Sequence, residues 1–411
     1  MGGATMDDGL QGLTPVEQRP LAGIVPNRQH QKFPGFMKGA PYQLAIVEFD
    51  DQGRCHDRKQ MDAVAQQLEA LAPGNSTAGE DVILVAFVHG WKHDARSDDD
   101  NLTAFRTLLT KTVEYEQRHA SAGVAPRPVL GVFVGWRGLS EFGLGDIVAD
   151  ATFFTRQAAG QRVATGSVRE LFGRMRHYRN RQQKRGGNPL LVIVGHSFGG
   201  MIVFSALAQS LIQAASAPAG RMTPEFADLV LLVNPAIEGA RYLPIYDLVI
   251  SPAFKARTTK QLPVFICAQA ANDLPVGMAF PLASAGHAFT EATTDDLERE
   301  CVTHAFGFVP SFRTHKLTGP TNDKPFVLDP PDVQTNAFWM VGAAKEVIDG
   351  HGGIWQTPFL QFIASLVLQH VQASKKAPVG AVAEARRAGA EPYGDLAEFA
   401  KTIGPIEVPK R

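Results

Sequence analysis

The sequence predicts an α/β protein, a mostly parallel central sheet with helices on both faces. Three observations predict it. From about residue 42 to residue 372, short apolar runs alternate with longer segments of helical periodicity, the order that successive βα units produce. Several runs are apolar at consecutive positions, as strands buried on both faces are. One run breaks at a glycine-flanked serine and continues as an amphipathic helix, in "LLVIVGHSFGGMIVFSALAQ" at 190–209.

Taken in order, the strands are "YQLAIVEF" (42–49), "DVILVAFVH" (81–89), "PVLGVFVGW" (128–136), "PLLVIVG" (189–195), "DLVLLVN" (228–234), "LPVFICAQA" (262–270) and "AFWMVGAA" (337–344). Helices fit at "RKQMDAVAQQLEAL", "NLTAFRTLLTKTVEYEQRHA", "GSVRELFGRMRHYRNRQQ", "GGMIVFSALAQSLIQAA" and "TPFLQFIASLVLQHVQ". In "SDDDN" the carboxylates oppose a helix dipole, which marks a helix N-terminus rather than a calcium loop. The basic cluster Arg174, Arg176, Arg179, Arg181, Lys184 and Arg185 reads as a solvated helix face.

Residues 1–40, rich in Gly, Pro and Gln, read as an irregular arm, and 373–411 as a flexible or partly helical tail. Between them, 41–372 form one α/β domain, interrupted by long connections at 235–261 and 274–336 that suit a cap over a binding cleft. The second connection carries Phe280, Phe289, Phe306, Phe308, Phe312 and Phe326, too many large apolar groups for a solvated loop.

The chain of 411 residues is 45% hydrophobic and 20% charged, an ordinary globular composition. Forty basic and forty-one acidic side chains leave a net charge of -1, so no bulk attraction to nucleic acid or anionic membrane is expected. Cys55, Cys267 and Cys301 lack zinc-site or disulfide spacing, which suits a reducing compartment. With no secretory signal pattern and no run of eighteen apolar residues, a cytoplasmic protein without a transmembrane segment is expected.

Gly195, Ser197 and Gly199 form the pattern G-x-S-x-G between a strand and a helix. A serine held on so sharp a turn needs neighbours without side chains, because a Cβ two residues to either side would collide with the turn. "LLVIVGHSFGG" and "FVHGW" resemble the nucleophile elbow and the oxyanion-hole segment of the α/β-hydrolases, in particular the bacterial lipase-like and esterase-like serine hydrolases. The resemblance covers about 42–372 and leaves the arm, the tail and both insertions unassigned. It implies the fold and an acyl-transfer site, not a substrate.

In "FVHGW", Gly90 lets the chain turn away from its strand, so that the N-H of Trp91 can join the N-H of Phe198 in stabilising an oxyanion. His89 lies before the serine, and the resemblance implies that it braces this loop. His93 and Asp94 read as loop residues, and His196 as a packing residue. A serine needs a base, and the base an orienting carboxylate, in the chain order Ser, acid, His. Asp273 lies in the loop just after the sixth strand and is the favoured acid; Glu238, one strand earlier, competes with it. For the base, His351 follows the last strand among Gly350, Gly352 and Gly353, whereas His304 and His315 fall inside the long insertion.

No H-E-x-x-H, Cys/His cluster or glycine-rich phosphate loop occurs, so neither metal nor cofactor is expected. The expected function is hydrolysis of a carboxylic ester, from a small molecule or a lipid, through an acyl-enzyme on Ser197, His351 and Asp273. A phospholipase, thioesterase or amidase could use the same residues. The rival class is a non-catalytic binding protein on the same fold.

Overall fold

The computed structural model describes residues 41–71, 82–91, 93–95, 99–118, 126–136, 147–218, 223, 225–258, 260–279, 293–331, 335–375 and 395–408. The arm at 1–40, most of the tail, and Phe280 and Phe289 lie outside them. The chain divides after Ala206 into two compact units.

The first unit holds β1 (Gln43–Phe49), β2 (Ile83–Val88), β3 (Val129–Trp136) and β4 (Leu190–His196). They pair in the order β1-β3-β2-β4, every pair parallel. All residues of β2, β3 and β4 are buried, which is why these strands read as continuous apolar runs rather than as alternation. The crossovers carry α1 (Arg58–Leu71), α2 (Asp100–Arg118), α3 (Ile147–Thr165) and α4 (Val168–Lys184), and α5 (Phe198–Ala215) follows β4. By length and composition α5 could cross a membrane, but 61% of it is buried, as in the core helix of a globular protein.

Asp99 caps α2, its Oδ1 accepting from the N-H groups of Asn101 at 2.9 Å and Leu102 at 3.2 Å, as the acidic run implied. The basic face of α4 is not simply solvated. Arg174 pairs with Asp62 at 3.0 Å and Arg181 with Glu69 at 2.7 Å, both on α1, while Arg58 and Arg174 converge on Glu170. Their hydrogen bonds, that of Arg58 foremost, hold the Glu170 carboxyl down to about 2. Arg179 is buried on the same helix.

The second unit holds β5 (Leu229–Val233), β6 (Phe265–Ala270), β7 (His315–Thr318), β8 (Val327–Asp329) and β9 (Phe338–Ala343). β6 runs parallel to both β5 and β9, β7 runs parallel to β9, and β7-β8 is antiparallel. Its helices are α6 (Leu243–Ile250), α7 (Pro252–Lys255), α8 (Asp296–Thr303), α9 (Thr357–Lys375) and α10 (Leu396–Ile403). Seven of the described strands match the predicted runs within a few residues, and β7 and β8 are additions.

Those additions correct the reading of 274–336 as a cap throughout. His315–Thr318 and Val327–Asp329 are sheet strands, and Phe326 packs edge-on against Phe362 of α9 at 5.5 Å. Phe306 and Phe312 join Tyr242 at ring separations of 5.6 and 5.1 Å, so the two long connections share one small aromatic core. The end of the tail is ordered by α9: Gln361 donates to the carbonyl of Gly404 at 3.0 Å and Thr357 to that of Ile406 at 3.1 Å.

Candidate active site

Ser197 follows β4 directly and precedes the first residue of α5, with its carbonyl accepting from the N-H of Met201 at 3.1 Å. Its φ is 56°, in the left-handed region that non-glycine residues avoid. Neighbouring glycines make the turn possible. A Cβ on Gly195 would lie 2.5 Å from the carbonyl oxygen of Gly199, and one on Gly199 would lie 2.1 Å from that of Val88. The turn is therefore closed against the end of β2 by main-chain contact alone.

The segment after β2 lies against the serine. A Cβ on Gly90 would stand 2.9 Å from the Ser197 Cβ, so only glycine lets the loop approach this closely. His89 is fully buried, its Nδ1 2.9 Å from the carbonyl of Gly90 and its Nε2 accepting from the N-H of Trp136 at 3.2 Å. The Trp136 indole N-H donates back to the carbonyl of His89 at 2.8 Å, and the two rings stack 5.9 Å apart. Burial pushes the imidazole down to about 4, so His89 is neutral, with Nδ1-H as its donor. With both ring nitrogens engaged, it braces the loop.

The rings of Trp91 and Phe198 stand 6.4 Å apart, and Phe198 meets Trp136 edge-on at 6.3 Å. This aromatic cluster fixes the two residues nominated as oxyanion donors. Beyond it, Asp99 accepts through Oδ2 from the N-H of Asp94 at 3.2 Å and lies 3.0 Å from Nδ1 of His93. Burial raises the Asp99 carboxyl, but His93, His89 and the N-H of Asp94 together outweigh it and the net direction is down. His93 and Asp94 thus tie the loop to the start of α2.

In the second unit, Asp273 follows β6 and is 1% exposed, and His351 follows β9 on a turn where Gly350 has φ 67°. The imidazole Nδ1 lies 2.9 Å from Oδ2 and 3.1 Å from Oδ1 of Asp273. The carboxylate also accepts from the N-H of Val276 at 3.1 Å and from Nε2 of Gln269 at 3.0 Å. Asn272 secures the turn, accepting from the N-H of Gly350 at 2.9 Å and donating to Asp349 at 2.8 Å.

The other nominees have other surroundings. Glu238 forms a main-chain bridge with Ala305, and its carboxylate lies 3.8 Å from Nε of Arg241. His304 ends α8, with Nδ1 3.1 Å from the carbonyl of Glu300. His315 begins β7, and its ring centre lies 4.1 Å from that of Trp339. Two residues escaped the sequence reading: Asn234, which directly follows β5 with φ 46°, and Gln269, a polar residue within the otherwise apolar β6. Both touch the Asp273–His351 pair or its turn, and a polar residue inside a doubly buried strand is the signal that could have found Gln269. Among the described residues no cluster of three or more His, Cys, Asp or Glu could hold a metal ion.

No family model matches the chain, and no curated protein matches it in sequence. Among solved structures, one from work on two prolyl endopeptidases aligns with 73% of this chain and 35% of its own, at 15% identity and a TM-score of 0.26. An uncharacterized protein from Pseudomonas aeruginosa aligns with 88% of this chain and 58% of its own, at 11% identity and a TM-score of 0.23. This chain spans less than two thirds of either one. TM-scores this low define neither family nor activity.

Proposed function

We propose that the protein is a serine hydrolase acting on carboxylic esters of small molecules or lipids. The observation that carries this reading is the backbone of Ser197, a serine held at φ 56° between strand and helix. Such a conformation costs a residue with a Cβ on the order of 1–3 kcal/mol, and glycine would adopt it without that strain. Placing a nucleophilic hydroxyl at the strand-to-helix turn accounts for it.

In this mechanism Ser197 Oγ attacks the acyl carbonyl while Nε2 of His351 takes its proton. Asp273, bonded to Nδ1, keeps the ring in the tautomer that leaves Nε2 as the acceptor and stabilises the imidazolium that forms. The N-H groups of Trp91 and Phe198 stabilise the oxyanion. The leaving alcohol departs with the proton from His351, and water, activated by the same ring, releases the acid and restores Ser197. No cofactor takes part. The three free cysteines suit the cytoplasm.

A fluorophosphonate probe, which phosphonylates activated serines, tests the reading. The wild-type protein should label and Ser197→Ala should not. Labelling that survives the substitution would remove Ser197 from the mechanism. Matched p-nitrophenyl ester, thioester, anilide and phospholipid substrates then separate the ester reading from thioesterase, amidase, peptidase and phospholipase readings, and the ester should turn over with the highest kcat/KM.

A further inference from the structure

The side chain of Asn234 bonds the main chain of His351 directly and reaches the Asp273 carboxylate through Gln269. It is fully buried at the end of β5, and its φ of 46° is one of two positive values outside glycine among the described residues, the other being that of Ser197. An amide has two donors and two acceptor positions, and here all four are taken. Nδ2 donates to the carbonyls of Gly350 at 3.1 Å and His351 at 2.9 Å. Oδ1 accepts from the N-H of Ala270 at 2.8 Å and from Nε2 of Gln269 at 3.3 Å. The same Gln269 nitrogen donates its other hydrogen to Asp273 Oδ2 at 3.0 Å.

These bonds close a ring: Asn234 to the main chain of His351, the imidazole to Asp273, the carboxylate to Gln269, and Gln269 back to Asn234. We infer that Asn234 is a positioning residue that holds the imidazole and its carboxylate in register through this ring. The inference rests on the serine-hydrolase reading for its effect on turnover, but the ring itself concerns only the pair. An asparagine suits the place because it tolerates the left-handed region better than other polar residues do. Aspartate would keep the acceptor and lose both donors to the His351 turn; glycine would keep the backbone and lose the clamp. The Asp273–His351 hydrogen bond would then no longer be held to one geometry, and misplacement on that scale costs rate rather than substrate affinity.

The test uses Asn234→Asp and Asn234→Gly in the full-length protein, with two readouts. The first is the downfield proton resonance of the His351 Nδ1-H, identified as the signal that Asp273→Asn abolishes. Both variants should shift or lose it while far-UV circular dichroism stays native. The second is kinetic: fluorophosphonate labelling and kcat on a small ester should fall roughly 10- to 100-fold, with KM within about twofold of wild type. A purely structural asparagine would lower the unfolding midpoint and leave the resonance where it was. A folded variant that keeps both the resonance and the labelling rate overturns the inference. Should neither Asn234 variant fold, Gln269→Met leaves Asn234 in place and opens the same ring at the carboxylate, with the same expected shift and the same overturning result. If the wild-type protein does not label at all, the serine-hydrolase reading fails, while the resonance still decides whether Asn234 holds the pair.

Discussion

Asp273 meets His351 with both carboxylate oxygens, at 2.9 and 3.1 Å from Nδ1, and does so from a fully buried side chain. A buried carboxylate that accepts four hydrogen-bond contacts is committed to one orientation, and the ring is oriented with it. Asp273→Asn should therefore lower kcat on an activated ester by ~10³ to 10⁴, because the amide favours the wrong imidazole tautomer. Glu238→Gln, beside Arg241, should change it little. Steady-state kinetics of the two variants decides, and the opposite ranking would move the acid to Glu238.

Ser197→Gly should make the protein more stable while abolishing labelling. Glycine adopts φ 56° without the Cβ penalty that serine carries there. A gain of roughly 1 kcal/mol in urea unfolding is expected, whereas Ser197→Ala, which keeps the Cβ, should show no comparable gain. Equal stabilities for the glycine and alanine variants would mean that the turn is not strained.

The elbow, the strands and the pair were legible for definite reasons. Residues of β2 to β4 are buried on both faces, so the apolar run is uninterrupted, and a strand-serine-helix turn cannot be built without the glycines that betray it. Asp273 and His351 were nominated because each follows such a strand in the chain order that a triad needs. β7 and β8 were not legible: with four and three residues, and burial that alternates or is partial, they carry too little pattern to stand out from a loop. Phe306, Phe312 and Phe326 of the insertion are buried, as large apolar groups should be, but composition could not say that Phe306 and Phe312 pack against Tyr242 from the other insertion. Asn234 reads only as the last residue of the run at 228–234, since nothing in a sequence tells an ordinary asparagine from one whose amide is fully bonded.

Gly199→Ala should destabilise the fold, which loss of the nucleophile should not do. The new Cβ would stand 2.1 Å from the Val88 carbonyl oxygen and 2.6 Å from that of His89, both main-chain atoms that cannot rotate away. Either α5 or the end of β2 must shift, at a cost of roughly 3 kcal/mol or more. Unfolding in urea should occur at lower denaturant, and labelling of Ser197 should fall even in the folded fraction. A variant with wild-type stability would show that the elbow is looser than its contacts indicate.

His315 should make stability depend on mildly acidic pH. Its ring is 3% exposed, with Nδ1 2.8 Å from Thr314 Oγ1, and burial pushes it down from 6.5 to about 4. Between those values the unfolded chain binds the proton and the folded chain does not, so stability falls as pH drops from 6.5 towards 4 and this contribution levels off below it. From pH 6.5 to pH 4.5 the loss from this one group is roughly 2 kcal/mol. His315→Phe keeps a ring against Trp339 and removes the titration. Its unfolding free energy should decline less than that of the wild type over this interval, by about the same 2 kcal/mol. His89 shifts in the same direction but is present in both proteins, so it cancels in the difference. Parallel pH profiles for the two proteins would mean that His315 is protonated in the folded state or that its strand opens to water.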